Sequence, residues 1–202
     1  MRIVACSDPH GRLDVARALV AASRSADVAV CAGDLGDRGR GAPAMLAALA
    51  EAACPLVVVS GNHDRMDELA ALAERWLAVQ EVHGARVALG GAGFVGLGGA
   101  VALAEPSANS EWVHERDAAA LLAPHRACDV LVSHTPPAGA ADVHFDGACG
   151  GSVAVREALE RLRPALCLCG HVHGSHGVRT RLGATLVHNL GPAVSCHEVS
   201  GS

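Results

Sequence analysis

A chain of 202 residues, half of them apolar and 18% charged, can bury a sizeable core and is neither disordered nor fibrous. Its net charge is −5, every cation is Arg, and it holds two Trp, two Phe and no Tyr. That balance argues against a basic face for nucleic acid or anionic membrane, and against aromatic platforms for single strands.

The elements follow in chain order. Arg2 to Ser7 is an apolar run with β character, and Leu13 to Ser23 places Leu13, Ala16, Leu19 and Val20 on one helical face. Val28 to Ala32 predicts a second strand, Pro43 to Ala52 a helix with Pro near its start, and Leu56 to Ser60 a strand buried on both faces. Met66 to Leu77 reads as a helix. This alternation predicts right-handed crossovers and a parallel core. Arg86 to Leu89 and Gly93 to Leu97 suggest a hairpin, and Glu111 to Leu122 a helix. Val130 to Ser133 is a strand, Ser152 to Leu162 a helix capped by Ser152, and Ala165 to Cys169 another strand. Val178 to Val199 holds short β segments. The expected fold is α/β, with two mixed β-sheets packed face to face and flanked by helices, in a single domain over 1–202. Pro136 to Gly151 lacks regular pattern and is the candidate substrate-facing loop.

No apolar run reaches membrane-span length, and the chain opens on a strand rather than a signal sequence. Of eight Cys, Cys6, Cys31, Cys167 and Cys169 lie inside strand runs, and no Cys-x-x-Cys pair occurs. A reduced, cytoplasmic protein is expected.

Five segments carry almost all the metal-capable side chains: Asp8-Pro9-His10, Gly33 to Gly39, Gly61-Asn62-His63-Asp64, Ser133-His134-Thr135 and Gly170-His171-Val172-His173. Nearly all directly follow strand-like runs, and a parallel sheet gathers such strand ends along one edge. Asp8 with His10, and His171 with His173, are i, i+2 pairs that project to one side when extended. Asp34 is placed to bridge two cations, one through each oxygen. Three oxygen donors and four imidazoles suit Mn, Fe or Zn better than Mg or Ca. Singly, an Asp or Asn after a strand is more often a turn former, so the weight rests on the ordered set.

The order Asp-x-His, Gly-Asp-x-x-Asp, Gly-Asn-His-Asp, x-His, Gly-His-x-His resembles the calcineurin-like metallophosphoesterases from Asp8 to His173. Ser133 to Pro137 and Arg163 to His173 look like the small, capless branch of metallophosphoesterase-domain (239FB-type) proteins. The resemblance implies a metallophosphoesterase-like αββα sandwich and two divalent or trivalent metal ions, for which the donor set leads us to expect Mn and/or Fe first and Zn as an alternative. It implies Asp8, His10, Asp34 and His173 around one ion, and Asp34, Asn62, His134 and His171 around the other. It also implies His63 as proton donor to the leaving group or transition-state stabiliser, oriented by Asp64 or Asp37. Asn62, Arg38 and Arg65 are candidate substrate contacts. Gly33 to Gly39 mimics a phosphoprotein-phosphatase block, but the chain is short for that group and the next block ends in Asp64 rather than Glu.

The expected activity is hydrolysis of a small phosphodiester, such as a cyclic nucleotide, by metal-activated hydroxide. The alternatives are a phosphomonoesterase on a nucleotide or sugar phosphate, and a nucleotide-binding protein with weak activity. The expected partner is a small phosphate ester, with no stable nucleic acid or membrane binding; the oligomeric state is open. His144 and Asp146 are minor candidates for substrate contact. His83, His114, His125 and His197 read as surface or core-edge residues, and His176 as a rim residue.

Overall fold

A computed structural model describes residues 1–102 and 111–200. Its strands are β1 (Arg2–Cys6), β2 (Val28–Cys31), β3 (Leu56–Val58), β4 (Val79–Glu81), β5 (Arg86–Leu89), β6 (Ala92–Leu97), β7 (Ala100–Ala102), β8 (Trp112–His114), β9 (Val130–Ser133), β10 (Leu166–Cys169), β11 (Arg179–Leu182), β12 (Thr185–Asn189) and β13 (Ser195–Glu198). Its helices are α1 (Leu13–Ser23), α2 (Ala42–Leu49), α3 (Met66–Ala73), α4 (Glu115–Leu122) and α5 (Val153–Leu162), with a 3-10 turn at His173–Ser175.

One sheet runs β13-β1-β2-β3-β4 and the other β11-β12-β10-β9-β6-β5, with β7 and β8 paired beside them. β1 to β4 are mutually parallel, as are β6, β9, β10 and β12, while β13, β11 and β5 add antiparallel edges. Strand alternation sorts side chains into three layers. Ile3, Ala5, Val28, Val30 and Val57 meet Phe94, Val130, Val132, Leu166 and Leu168 between the sheets. Val4, Cys6, Ala29 and Cys31 point the other way, onto Ala16 and Leu19 of α1 and Met45, Leu46 and Leu49 of α2. Leu97, Leu131, Cys167 and Cys169 likewise face Leu122 of α4 and Val155, Ala158 and Leu159 of α5. The expected arrangement of two mixed sheets between helices is therefore present. All eight Cys are free thiols. Among the described residues, no helix is long and apolar enough to cross a membrane.

Two departures from the sequence reading concern β structure. Trp112–His114 is a strand, not the first turn of a helix, because Trp112, Val113 and His114 pair with Ala100–Ala102. α3 stops at Ala73, and Val79–Glu81 then joins β3 as an edge strand that the pattern of apolar residues did not suggest.

Candidate metal centre

The carboxyl ends of β1, β2, β3, β9 and β10 open on one side of the sandwich. They deliver Asp8, Asp34, Asn62, His134 and His171 respectively, with His10 and His173 two residues further along two of those loops. The loops are tight. Asp8, His10, Asp34, Arg38 and His171 hold positive φ between 45° and 65°, and elsewhere among the described residues only Ala141 and Arg163 are non-Gly residues that do so. Concentrated backbone strain of this kind marks a site whose surroundings over-determine it. Gly61 is needed for close approach, since a Cβ there would overlap Asp34 Oδ1.

Two nests of donor atoms result. In the first, ligand atoms of Asp8, His10, Asp34 and His173 all lie within 4.8 Å of one another. His10 Nε2 is 3.4 Å from His173 Nε2 and 3.6 Å from Asp34 Oδ2, and His173 Nε2 is 3.4 Å from Asp8 Oδ1. In the second, His134 Nε2 lies 3.2 Å from Asn62 Oδ1 and 3.5 Å from Asp34 Oδ1, and His171 Nδ1 lies 2.9 Å from Asn62 Oδ1. The two oxygens of Asp34 thus face different nests.

The chemistry of these donors fits cations. His134 Nδ1 donates to the Ala32 carbonyl at 2.8 Å. In neutral His134 that leaves Nε2 as a lone pair aimed at two oxygens, which is repulsive unless positive charge lies between. Among the described residues no Arg reaches Asp8 or Asp34, although both are buried. Burial pushes the Asp8 carboxyl up, but the adjacent His173 and His176 imidazoles, the charge of His134 and the Ser7 hydroxyl outweigh it and hold it well below the usual range. Burial depresses His134, yet Asp34 and Asp8 outweigh that and raise it. Burial takes His171 down to about 3, so it stays a neutral donor. The pocket asks for positive charge and supplies ligands ready to hold it.

The other candidate residues separate clearly. His63 N–H donates to Asp34 Oδ1 at 2.8 Å, and its ring crosses that of His10 edge-on at 4.9 Å. Its Nδ1 is 2.9 Å from Asp37 Oδ1, and the Arg38 N–H also approaches Nδ1 at 3.1 Å. Asp37 therefore orients His63. Asp64, the alternative orienter, does not reach it: it is buried and accepts the N–H groups of Leu35, Gly36 and Gly61. Arg38 is exposed beside His63. Arg65 is turned away, pairing with Asp67 at 3.2 Å and lining a cavity of about 550 Å³ with Glu81, His83 and Glu111. Asp146 closes a turn on Ala148, and His144 packs against Gly150. Neither is brought among the ligands.

Sequence reasoning set His176 aside, and the structure brings it in. Its Nε2 lies 3.4 Å from Asp8 Oδ2, and its ring leans on that of His173 at 4.6 Å. The available signal was its place three residues after His173, in the same tight turn. Ser7, bonded to Asp8 Oδ2, and Trp112, edge-on to His171 at 6.1 Å, also went unflagged.

A family model described as calcineurin-like phosphoesterase matches residues 1–175. Over 65 residues, 30% of the chain, it is 37% identical to UPF0046 protein C25E10.12 of Caenorhabditis elegans, and that match spans only 23% of the worm protein. The fold resembles TT1561 of Thermus thermophilus, with a TM-score of 0.77 at 21% identity over 97% of each chain. It also resembles a dimetal phosphatase from Danio rerio, with a TM-score of 0.62 at 15% identity over 95% of this chain and 88% of that one.

Proposed function

The chain belongs to the calcineurin-like phosphoesterase family, and from that premise we propose that it is a dinuclear metal-dependent phosphoesterase acting on a small phosphodiester such as a cyclic nucleotide. The observation that carries this reading is Asp34, whose Oδ2 and Oδ1 face separate donor nests at 3.6 and 3.5 Å. Asp8, His10 and His173 would complete one ion's shell, and Asn62, His134 and His171 the other's. Mixed imidazole and carboxylate donors suit Mn, Fe or Zn. When bound, a pair of such ions supplies Lewis acidity toward phosphate and an acidified water at neutral pH.

The chain's own groups do the rest. His63, held by Asp37 through Nδ1, presents its other nitrogen for proton transfer to the leaving oxygen. Arg38, exposed beside His63, and Asn62 would supply donors to a phosphoryl oxygen. A diester is favoured over a monoester by the shortage of cations. A monoester dianion carries one more charge, yet Arg65 is engaged by Asp67 and the chain has no Lys.

The test is turnover by purified protein loaded in turn with Mn, Fe and Zn, on a chromogenic phosphodiester and the matching monoester. Diester hydrolysis exceeding monoester hydrolysis is expected. No turnover of either, with two ions verified per chain, would sink the proposal. Preference for the monoester would reassign the enzyme as a phosphatase.

A further inference from the structure

We propose that His176 is a positioning residue for the metal centre, its Nε2–H fixing the outer oxygen of Asp8 so that the inner oxygen is presented to an ion. The inference rests on the dinuclear reading above and assigns a residue outside its ligand set.

Asp8 divides its two oxygens. Oδ1 turns toward Nε2 of His173, a member of the first donor nest, at 3.4 Å. Oδ2 turns toward the Ser7 hydroxyl and His176 Nε2 at 3.4 Å, while the His171 N–H reaches both oxygens, Oδ1 at 3.1 Å and Oδ2 at 3.2 Å. His176 Nε2 is buried and makes no hydrogen bond of good geometry, so Asp8 Oδ2 is the acceptor within its reach. A small movement of the carboxylate toward that nitrogen completes the bond.

The ring cannot easily go elsewhere. It leans on the His173 ring with centroids 4.6 Å apart and planes 38° apart. Gly191, at φ +70°, also lies against it, and a Cβ there would come within 2.7 Å of the imidazole. The Gly191 carbonyl accepts the Ser7 N–H at 2.9 Å, so the wall beside His176 is tied to the loop that carries Asp8. His176 therefore touches two ligands of one nest, Asp8 by its nitrogen and His173 by its face, and none of Asn62, His134 and His171, which belong to the other nest alone. A group that orients a ligand without binding metal typically accounts for about 10- to 100-fold in metal affinity.

The experiment is calorimetric titration of metal-stripped protein with Mn, with the ion count checked by native mass spectrometry. Wild-type protein should take up two ions. H176F keeps a ring against His173 but has no donor, and should weaken one binding step by about tenfold or more while leaving the other unchanged. H176Q, whose amide N–H reaches a similar point, should stay close to wild type. Circular dichroism melting of the metal-free proteins checks folding. Should H176F not fold, H176L replaces it, a neutral side chain with no N–H. Equal affinities in wild type and the donor-less variant would overturn the assignment, and so would equal losses in H176F and H176Q. Fewer than two ions on wild-type protein in Mn excess would instead overturn the dinuclear reading itself.

Discussion

Asp64 shows how a residue can sit in a functional motif and serve the backbone instead. It follows His63 directly, so the sequence offers it as a partner for the imidazole. The turn after Gly61 points it inward, where its carboxylate gathers three N–H groups from Leu35, Gly36 and Gly61 at 2.8 to 3.0 Å. Those groups belong to the loops that present Asp34 and Asn62, so Asp64 staples two strand ends together. Burial lifts its carboxyl to about 6, against the pull of those N–H groups. Removing the acceptor in D64A leaves three buried donors unpaired, each worth about 1–3 kcal/mol. We expect D64A to lose at least about 3 kcal/mol in urea unfolding, and D64N, which keeps one oxygen, to lose less. A loss under about 1 kcal/mol for D64A would show that the staple is not needed. The metal-capable residues were legible because residue type and order carry them. Which of Asp37 and Asp64 faces His63 was not, because that choice depends on turn direction alone.

At the scale of elements, periodicity reported what each segment buries and missed what segments do for one another. Leu13–Ser23 was readable because its apolar spacing is helical, and β9 and β10 because uninterrupted apolar runs are what a doubly covered parallel strand requires. Trp112–His114 was misread because three residues directly ahead of a helical pattern show no strand period of their own, and only their parallel pairing with Ala100–Ala102 makes them a strand. The start of α5 was half legible. Ser152 was readable as its cap, and its hydroxyl does accept the Val155 N–H. The other two donors of that first turn, Val153 and Ala154, go to Glu115 at 2.9 and 2.8 Å, and Ser152 also donates to this carboxylate. Glu115 opens α4, so one helix caps the next, with its negative charge at the positive end of α5. The link also steadies the loop after His134, since Ser152 N–H donates to the Pro136 carbonyl. E115A should destabilise the fold by about 2–3 kcal/mol, the sum expected for two lost charge-assisted caps. Hydrogen exchange should quicken first at the N-terminus of α5. Unchanged protection there would mean that water replaces the carboxylate without cost.

The whole molecule is two sheets held face to face, and away from the metal centre a pair of buried histidines also joins them in a way no local pattern could announce. His188 on β12 and His197 on β13 belong to different sheets, yet their Nδ1 and Nε2 atoms lie 3.2 Å apart, both rings buried. Ser195 Oγ lies 3.1 Å from the same His197 nitrogen. Burial drives both imidazoles down to about 4, aided at His188 by His197 and Arg179 and at His197 by Arg179. An unfolded His titrates near about 6.5. Above that pH both states hold the pair neutral, and the pair adds no pH dependence. As pH falls below it, the unfolded chain takes up protons that the folded chain refuses, so stability falls. The decline continues until the folded pair itself protonates at about 4. The urea midpoint should therefore drop as pH falls from about 7 to about 5, and the drop should be shallower in the double variant H188Q/H197Q, which keeps polar groups of similar reach but cannot take a proton. Comparing the two proteins at each pH cancels the carboxylates and histidines of the metal centre, which titrate in both. Parallel curves would place the acid sensitivity at that centre; converging curves would place it where the two sheets meet.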